Sequence, residues 1–288
     1  MAKRMKSNLI LFYLTLTILC SCSTFNGNQE TAITKKTKLY YGQGTEMLVK
    51  KEYSKALEYL IEAQKLDPKD SEIQNNLAMA YYFKKRPLKA KEHLIKAIDL
   101  DPKNSNARNN YASILFREGS LQEAKQQYTK IKEDLIYPHQ YRTYYNLALI
   151  EEKLGDHKAM IQLLNESIAE RDDFCPAHYK LGEFSYEREQ LSAALKHFKN
   201  ASNGTCYKYP APIYYQAIIW QRLASPEKAA GKLTEILNNF EKSEYAQMAK
   251  TKLDQIIRDN PSIREQIELS LQKKTNASKS PEKAIDSL

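Results

Sequence analysis

The sequence predicts an all-α protein built from repeated pairs of helices, and three observations lead to this prediction. Proline recurs after 34 residues, at Pro68 and Pro102, and small and large apolar residues recur at the same spacing. Only 8 Gly and 10 Pro in 288 residues leave little material for a turn-rich β fold. Lys, Glu, Ala, Leu and Gln are abundant, and these residue types favour helices.

The repeated residues follow a fixed code within each period of 34 residues. Small residues at positions 8, 20 and 27 let two antiparallel helices approach closely, and large apolar residues at positions 4, 7, 11 and 24 fill the remaining space. Proline at position 32 ends the second helix. The matching pairs in the first two periods are Gly44 and Ala78, Ala56 and Ala90, Leu60 and Leu94, and Ala63 and Ala97. This is the tetratricopeptide pattern, in which each period forms one helix–turn–helix repeat.

The pattern continues along most of the chain and becomes less regular towards its end. We predict a right-handed superhelical solenoid of about six repeats, at 37–70, 71–104, 105–140, 141–174, 175–209 and 210–242. A further helix is predicted at 243–260, because a solenoid needs a cap on its exposed last interface. Residues 261–288 are polar, and we predict a partly disordered tail there.

The N-terminus has the order of a secretion signal. A basic stretch at 1–8 is followed by eleven uncharged, mostly apolar residues, which are too few to span a bilayer. Cys22 follows the small residue Ser21 and has Leu19 three positions before it, as in bacterial lipoprotein signals. We therefore predict that residues 1–21 are removed and that Cys22 is lipidated. An ordinary secretory signal with incidental cysteines is the alternative.

Lipidation would decide where the protein works. Ser23, and not Asp, follows Cys22, so the expected location in a Gram-negative cell is the periplasmic face of the outer membrane. A triacylated cysteine gives stable anchoring without a transmembrane helix. Residues 22–36 are polar and lack periodicity, which predicts a flexible tether. The net charge is +9, but the basic residues are interspersed with acidic ones, which indicates a solvated surface. Contact with anionic lipid or acidic partners is the alternative.

Cys20 belongs to the predicted signal peptide, and the two remaining cysteines, Cys175 and Cys206, occupy positions 1 and 32 of one predicted repeat. Because the two helices of a repeat are antiparallel, these positions lie near each other. A disulfide is therefore geometrically plausible, and the periplasm permits it. Two reduced cysteines, one of them partly buried, are the alternative.

The sequence contains no recognisable catalytic or metal-binding motif. Its five histidines are scattered, and it lacks H-E-x-x-H, G-x-S-x-G, a phosphate-binding loop and a dinucleotide-binding motif. We expect a non-enzymatic protein with no cofactor, no metal and no nucleic-acid partner.

A protein partner is expected on the concave face of the repeats. The first helix of each repeat lines this face with positions 2, 5, 9 and 12, and asparagine and aromatic side chains there can grip a peptide. Asn75 and Asn109 hold the same position in successive repeats, each in an Asn-Asn pair. We expect that replacing both by alanine weakens binding and leaves melting nearly unchanged; stacking on a neighbour or contact with water is the alternative role. The predicted contact residues are Tyr41, Asn75, Met79, Tyr82, Asn109, Phe116, Tyr145, Leu149, Tyr179 and Tyr186.

The lipoprotein signal, the short tether and the repeats together resemble the type IV pilus biogenesis lipoproteins, the PilF/PilW pilotin family. The stretch 106–150, with its "NNY" opening, extended repeat end and "YP" before the next helix, is similar to the third repeat of that family and its junction. The sequence departs from the family in its longer tail after residue 260 and in its many Lys and Tyr residues.

The resemblance implies a function as well as a fold. A protein of this family would bind the pilus secretin, help it to reach or assemble in the outer membrane, and so permit pilus extension. The alternative is a general periplasmic adaptor that docks peptidoglycan hydrolases or outer-membrane assembly factors.

Overall fold

The computed structural model describes residues 31–265, so the predicted signal peptide, Cys22 and most of the predicted tail lie outside the described residues. Within this range the chain has thirteen α-helices of ten residues or more, a helical segment at 262–265, one 3₁₀ turn at Gly204–Cys206 and no strand. The all-α fold class that the sequence predicts is confirmed. None of the helices between residues 31 and 265 is long and apolar enough to cross a membrane.

The described chain divides into two compact bodies, one ending at Tyr111 and the other beginning at Ala112. The N-terminal body contains four complete helices and the first half of α5. Their bounds are α1 Ala32–Val49, α2 Tyr53–Leu66, α3 Ser71–Phe83, α4 Pro87–Leu100 and α5 Ser105–Glu118.

The C-terminal body contains the end of α5 and eight further helices. They run α6 Leu121–Lys132, α7 Gln140–Leu154, α8 His157–Glu170, α9 Cys175–Glu187, α10 Leu191–Asn200, α11 Ala211–Arg222, α12 Pro226–Asn239 and α13 Glu244–Asp259. The last of these, α13, lies where the sequence predicts the capping helix.

The core of the N-terminal body follows the small–large code. Ala56, Leu60 and Ala63 of α2 are fully buried, and they occupy positions 20, 24 and 27 of the first repeat. They pack in one cluster with Ile73 and Leu77 of α3. Burial of such side chains stabilises the body by roughly 1.5–3 kcal/mol for each large residue.

The C-terminal body has its apolar contacts in successive clusters along the helix pairs. One joins Met160 and Leu164 to Leu181, and another joins Phe198 to Ile219. A third cluster brings α11, α12 and α13 together, and Ile263 just after α13 is buried in it. The predicted cap therefore covers the last helix pair of this body.

The turn inside each helix pair has one residue in the left-handed region, always at position 15 of the repeat. Glycine, which adopts positive φ without steric penalty, holds this position in two repeats. The other four repeats have a residue with a side chain there. The residues are Lys51, Lys85, Gly119, Gly155, Glu189 and Ala224, with φ between 50° and 87°.

Helix α1 begins inside the predicted tether and corrects the prediction for residues 32–36. The side chain of Thr31 accepts a hydrogen bond from the Thr34 backbone N–H at 3.1 Å, which caps the helix at its first turn. Thr37 is buried and donates to the Ile33 carbonyl at 3.0 Å. The helix therefore starts at Ala32, five residues before the first predicted repeat.

Candidate binding faces

A ladder of polar side chains crosses the N-terminal body from helix to helix. The Thr45 hydroxyl donates to the Tyr41 carbonyl at 2.8 Å and accepts from Asn76 Nδ2 at 2.9 Å. Asn75 Nδ2 donates to Asn76 Oδ1 at 3.2 Å, and Asn110 Nδ2 donates to Asn75 Oδ1 at 2.8 Å. The first helices of three successive repeats, α1, α3 and α5, are therefore joined by one hydrogen-bonded chain, the asparagine ladder.

The ladder changes the role assigned to Asn75. Its side chain is only 5% exposed, and both its amide nitrogen and its carbonyl oxygen already bond to neighbouring asparagines. The prediction that this amide is free to grip a peptide is therefore wrong. Asn75 joins α3 to α5 through a hydrogen bond to a neighbouring asparagine, a role that differs from both the predicted peptide contact and the alternative of stacking or contact with water.

The ladder predicts a stability effect of substitution at Asn75. We expect Asn75→Ala to lower the free energy of unfolding by about 1–3 kcal/mol, because it removes a buried amide and leaves its half-buried partners Asn76 and Asn110 without these hydrogen bonds. Chemical denaturation followed by circular dichroism measures this loss, with Glu58→Ala, an exposed position of α2, as the control. Equal stability of the two variants would show that the ladder carries no net energy.

The other predicted contacts of the N-terminal body are half-buried and remain accessible on this face. They are Tyr41, Met79, Tyr82 and Asn109. Burial raises the pKa of the Tyr41 hydroxyl, and the nearby Glu72 carboxylate raises it further. Burial and the neighbouring Asp70 also raise the pKa of Glu72, whose carboxylate accepts a hydrogen bond from Asn104.

The predicted contacts of the C-terminal body are Phe116, Tyr145, Leu149, Tyr179 and Tyr186, and all five are half-buried. The Lys153 ammonium lies 5.6 Å from the centre of the Phe116 ring. Tyr145 packs against the cluster of α8 and α9 and meets the ring of Phe174 edge-on at 5.4 Å.

Two of these tyrosines belong to a tyrosine cluster formed by α9, α11 and α13. Tyr215 lies 6.1 Å from Tyr179 and 5.6 Å from Tyr186, measured between ring centres. The cluster continues from Tyr215 to Tyr214 at 6.4 Å and from Tyr214 to Tyr245 at 5.5 Å. Each such pair contributes roughly 0.5–1.5 kcal/mol beyond its buried area.

The tyrosine cluster rests on a buried ring, and burial raises the pKa of three of its hydroxyls. Phe198 has no exposed surface and stacks on Tyr215 at 4.8 Å. Burial is the main cause that raises the pKa of Tyr179, Tyr214 and Tyr245. At neutral pH these side chains therefore present neutral phenol groups.

Charged side chains beside the tyrosines largely neutralise one another. The Lys180 ammonium pairs with Glu152 at 3.2 Å and with Glu183 at 3.1 Å. Both glutamates hold predicted concave positions, but each carboxylate is already paired with Lys180. This part of the face is consequently more aromatic than acidic.

A cavity of about 310 Å³ opens beside the tyrosine cluster. It lies at the N-terminal ends of α9 and α11, and two predicted contacts, Tyr145 and Tyr179, form part of its wall. Among the described residues, no charged side chain lines it. Its other walls come from Cys175, Pro176, Ala201, Tyr209, Ala211 and Pro212.

A disulfide forms one edge of this cavity. Cys175 and Cys206 are bonded, with their Cα atoms 5.6 Å apart, as the antiparallel arrangement of the repeat suggested. The bond ties the 3₁₀ turn after α10 to the start of α9. Tyr209, three residues after Cys206, donates its backbone N–H to the Cys206 carbonyl at 3.2 Å and so stays at the cavity wall.

Sequence reasoning missed several residues of these faces. Asn76 and Asn110 carry half of the ladder, and the recurring Asn-Asn pair was the signal that could have found them. Tyr209 lies in the irregular segment between two repeats, where no positional code applies. Among residues 31–265, no group of three or more His, Cys, Asp and Glu side chains is placed to hold a metal ion.

Comparisons with known proteins agree with the repeat pattern. Tetratricopeptide-repeat models match residues 71–104 and 141–173 in one case and residues 93–126 in another. A search of curated protein sequences gives no match.

Solved structures give the closer view of the fold. PilF of Pseudomonas aeruginosa superimposes with a TM-score of 0.66 at 17% sequence identity, over 77% of this chain and all of that chain. PilW, a widely conserved type IV pilus biogenesis factor, gives 0.63 at 23% identity, over 74% of this chain and 97% of that one. MamA of Desulfovibrio magneticus gives a TM-score of 0.50 at 20% identity, over 58% of this chain and 94% of that chain. The chain is therefore similar in fold to PilF and PilW, and tetratricopeptide repeats are recognised within 71–126 and 141–173.

Proposed function

We propose that this chain is a non-enzymatic scaffold that binds a protein partner on its tyrosine-lined face, and that it acts as a pilotin for a type IV pilus secretin. The observation that carries the proposal is the cavity beside the tyrosine cluster. It is lined by apolar and aromatic groups, and four of its eight lining residues hold positions where tetratricopeptide repeats present their concave face: Tyr145, Pro176, Tyr179 and Ala211. Aromatic anchors in a desolvated pocket are the typical centres of protein interfaces.

The pilus assignment is supported by the similarity in fold to PilF and PilW and by the sequence resemblance at 106–150. The lipoprotein signal is consistent with it, since an outer-membrane lipoprotein would meet a secretin in the same membrane. The general periplasmic adaptor remains the second candidate, because tyrosine-lined faces suit many partners.

Capture of the secretin tests the pilotin proposal. Affinity-tagged full-length protein is purified from detergent-solubilised envelopes, and we expect the secretin multimer to accompany it. Tyr186→Ala is expected to reduce the recovered secretin roughly tenfold or more, as for a residue at the centre of an interface. Tyr144→Ala, next to the predicted contact Tyr145 but on another side of α7, is the matched control and is expected to retain the secretin.

Two results would contradict this proposal. Recovery of peptidoglycan hydrolases or assembly factors without secretin would favour the adaptor. Equal loss of the secretin from Tyr186→Ala and Tyr144→Ala would mean that the tyrosine-lined face is not the contact.

Membrane anchoring through Cys22 is tested separately, since this residue lies outside the described range. We expect Cys22→Ser to move the protein from the membrane fraction to the soluble periplasmic fraction or to block its maturation, because the lipid would be its anchor. Radiolabelled palmitate incorporation should disappear in the same variant. Unchanged membrane association together with unchanged labelling would place the lipid elsewhere.

A further inference from the structure

We propose that the cavity beside the Cys175–Cys206 disulfide receives a proline-rich segment of the partner in the polyproline II conformation. The inference rests on the proposed function, because it names the kind of partner segment that the tyrosine-lined face binds. Three features lead to it: the lining of the cavity, the hydrogen-bonding character of the tyrosine cluster, and the disulfide that shapes the rim.

The residues that line the cavity suit the stacking of a ligand's rings against their own. Tyr145, Tyr179 and Tyr209 stand around the cavity with Pro176 and Pro212, and within 31–265 no charged side chain joins them. The volume of about 310 Å³ equals the space of about ten water molecules in the liquid. This is enough for one or two apolar side chains of an inserted peptide. Proline-rich segments dock in aromatic-lined grooves of this kind.

The hydrogen-bonding groups of the face favour a ligand that brings acceptors. In the described part of the chain, no protein acceptor occupies the hydroxyls of Tyr145, Tyr214 and Tyr245. The strongest acceptors nearby, Glu152 and Glu183, are held by Lys180. The Tyr179 hydroxyl already bonds to Glu183, so the donors that this face offers are the hydroxyls of Tyr145, Tyr214 and Tyr245, and it has few free acceptors.

A polyproline II segment matches this character better than the alternatives. Its carbonyl groups have no internal hydrogen bonds, and each proline lacks an N–H group. A β-strand would bring N–H donors that find few acceptors here, and a helix satisfies most of its carbonyls internally. The tyrosine cluster extends from Tyr179 to Tyr245, so an extended segment can leave the cavity along further rings.

The disulfide gives the cavity its fixed rim. Cys175 is itself part of the wall, and its partner Cys206 holds the segment that carries Tyr209. Reduction of the disulfide releases that segment. We therefore expect reductant to weaken peptide binding severalfold.

Calorimetric titration of the purified full-length protein tests the proposal. The probe is a dodecapeptide of three Pro-Pro-Leu-Pro units, and the control peptide has alanine at every proline. We expect the proline peptide to bind at least tenfold more tightly than the alanine peptide. Tyr145→Phe, which keeps the ring and removes the donor, is expected to lower the affinity about fivefold, and Tyr144→Phe is expected to leave it unchanged.

Equal binding of the two peptides, no binding of either, or no effect of Tyr145→Phe would overturn the inference. Displacement of the proline peptide by a synthetic peptide of residues 266–288, which contains Pro281, would also overturn it, because the chain's own tail would then be the occupant.

The failures of the two proposals are distinguishable. If the protein captures secretin but does not bind the proline peptide, this inference is refuted and the pilotin function is retained. Proline peptide bound with the expected selectivity, but no secretin captured, would support the cavity and refute the pilotin function.

Discussion

The double variant Cys175→Ser/Cys206→Ser is expected to lose about 3–4 kcal/mol of its free energy of unfolding. The disulfide closes a loop with a sequence separation of 31 residues, and in the loop-entropy model such a cross-link restricts the unfolded chain by that amount. The bond also acts on the folded chain, because Cys206 is almost fully buried at the end of the 3₁₀ turn. The loss is measured by urea denaturation followed by circular dichroism.

Reductant provides the control for this experiment. The wild-type chain in excess reductant is expected to unfold at the urea concentration of the double variant, and the variant itself should not respond to reductant. A thiol count under denaturing conditions should rise by two in the reduced wild-type chain. A wild-type midpoint that does not move with reductant would mean that the cysteines are unpaired in solution.

The repeat architecture could be predicted because its code is local and periodic. Ala56, Leu60 and Ala63 are buried where the code places small and large residues, and the same spacing returns in each helix pair. Each repeat must bury its apolar face against a neighbour, so the pattern specifies which faces pack. The all-α fold followed from sequence for this reason.

The start of α1 could not be predicted in the same way. Residues 32–36 carry no apolar periodicity, and their helical state depends on the cap from Thr31 and the back-bond of Thr37. Such single hydrogen bonds contribute about 1 kcal/mol each, and they produce no recurring sequence pattern from which a helix could be predicted. The predicted tether therefore extended too far into the chain.

The sequence predicts on which side of its helix a residue lies, but not which residues of the neighbouring repeat it contacts. A position in the repeat gives the side of the helix on which a residue lies, and Tyr145 and Tyr179, which both hold position 5, line the same cavity. It does not reveal what the next repeat presents there. Asn75 meets Asn110 across two helices, and this contact removes it from the accessible surface.

The cavity itself depends on the segment between α10 and α11, which follows no repeat code. Tyr209 lies at the wall three residues after Cys206, whose disulfide ties the preceding turn to the start of α9. Sequence reasoning found the two cysteines and their proximity. The consequence for the neighbouring tyrosine required the structure.

The second large effect is expected at Gly182, where α9 crosses α10. A Cβ atom on Gly182 would lie 2.8–3.1 Å from three ring atoms of Phe198. That ring is fully buried and stacked on Tyr215, so it cannot turn away. We expect Gly182→Ala to lower the free energy of unfolding by about 1–3 kcal/mol, the usual range for overpacking, despite the better helix propensity of alanine.

Gly231 supplies the matched control, because it is also helical and lies in the same body but has no atom within 4 Å of its missing Cβ. Gly231→Ala is expected to stabilise the chain by about 0.5–1 kcal/mol. The double variant Gly182→Ala/Phe198→Leu recreates the pair that Ala78 and Leu94 form at the same positions of the second repeat. It should be more stable than Gly182→Ala alone, since the two substitutions are in contact and couple. Two results would contradict this prediction: equal stability of Gly182→Ala and Gly231→Ala, or a double variant whose loss of stability is the sum of the losses of Gly182→Ala and Phe198→Leu alone. Either result would mean that α9 and α10 have room between them and that the small–large code does not decide their spacing.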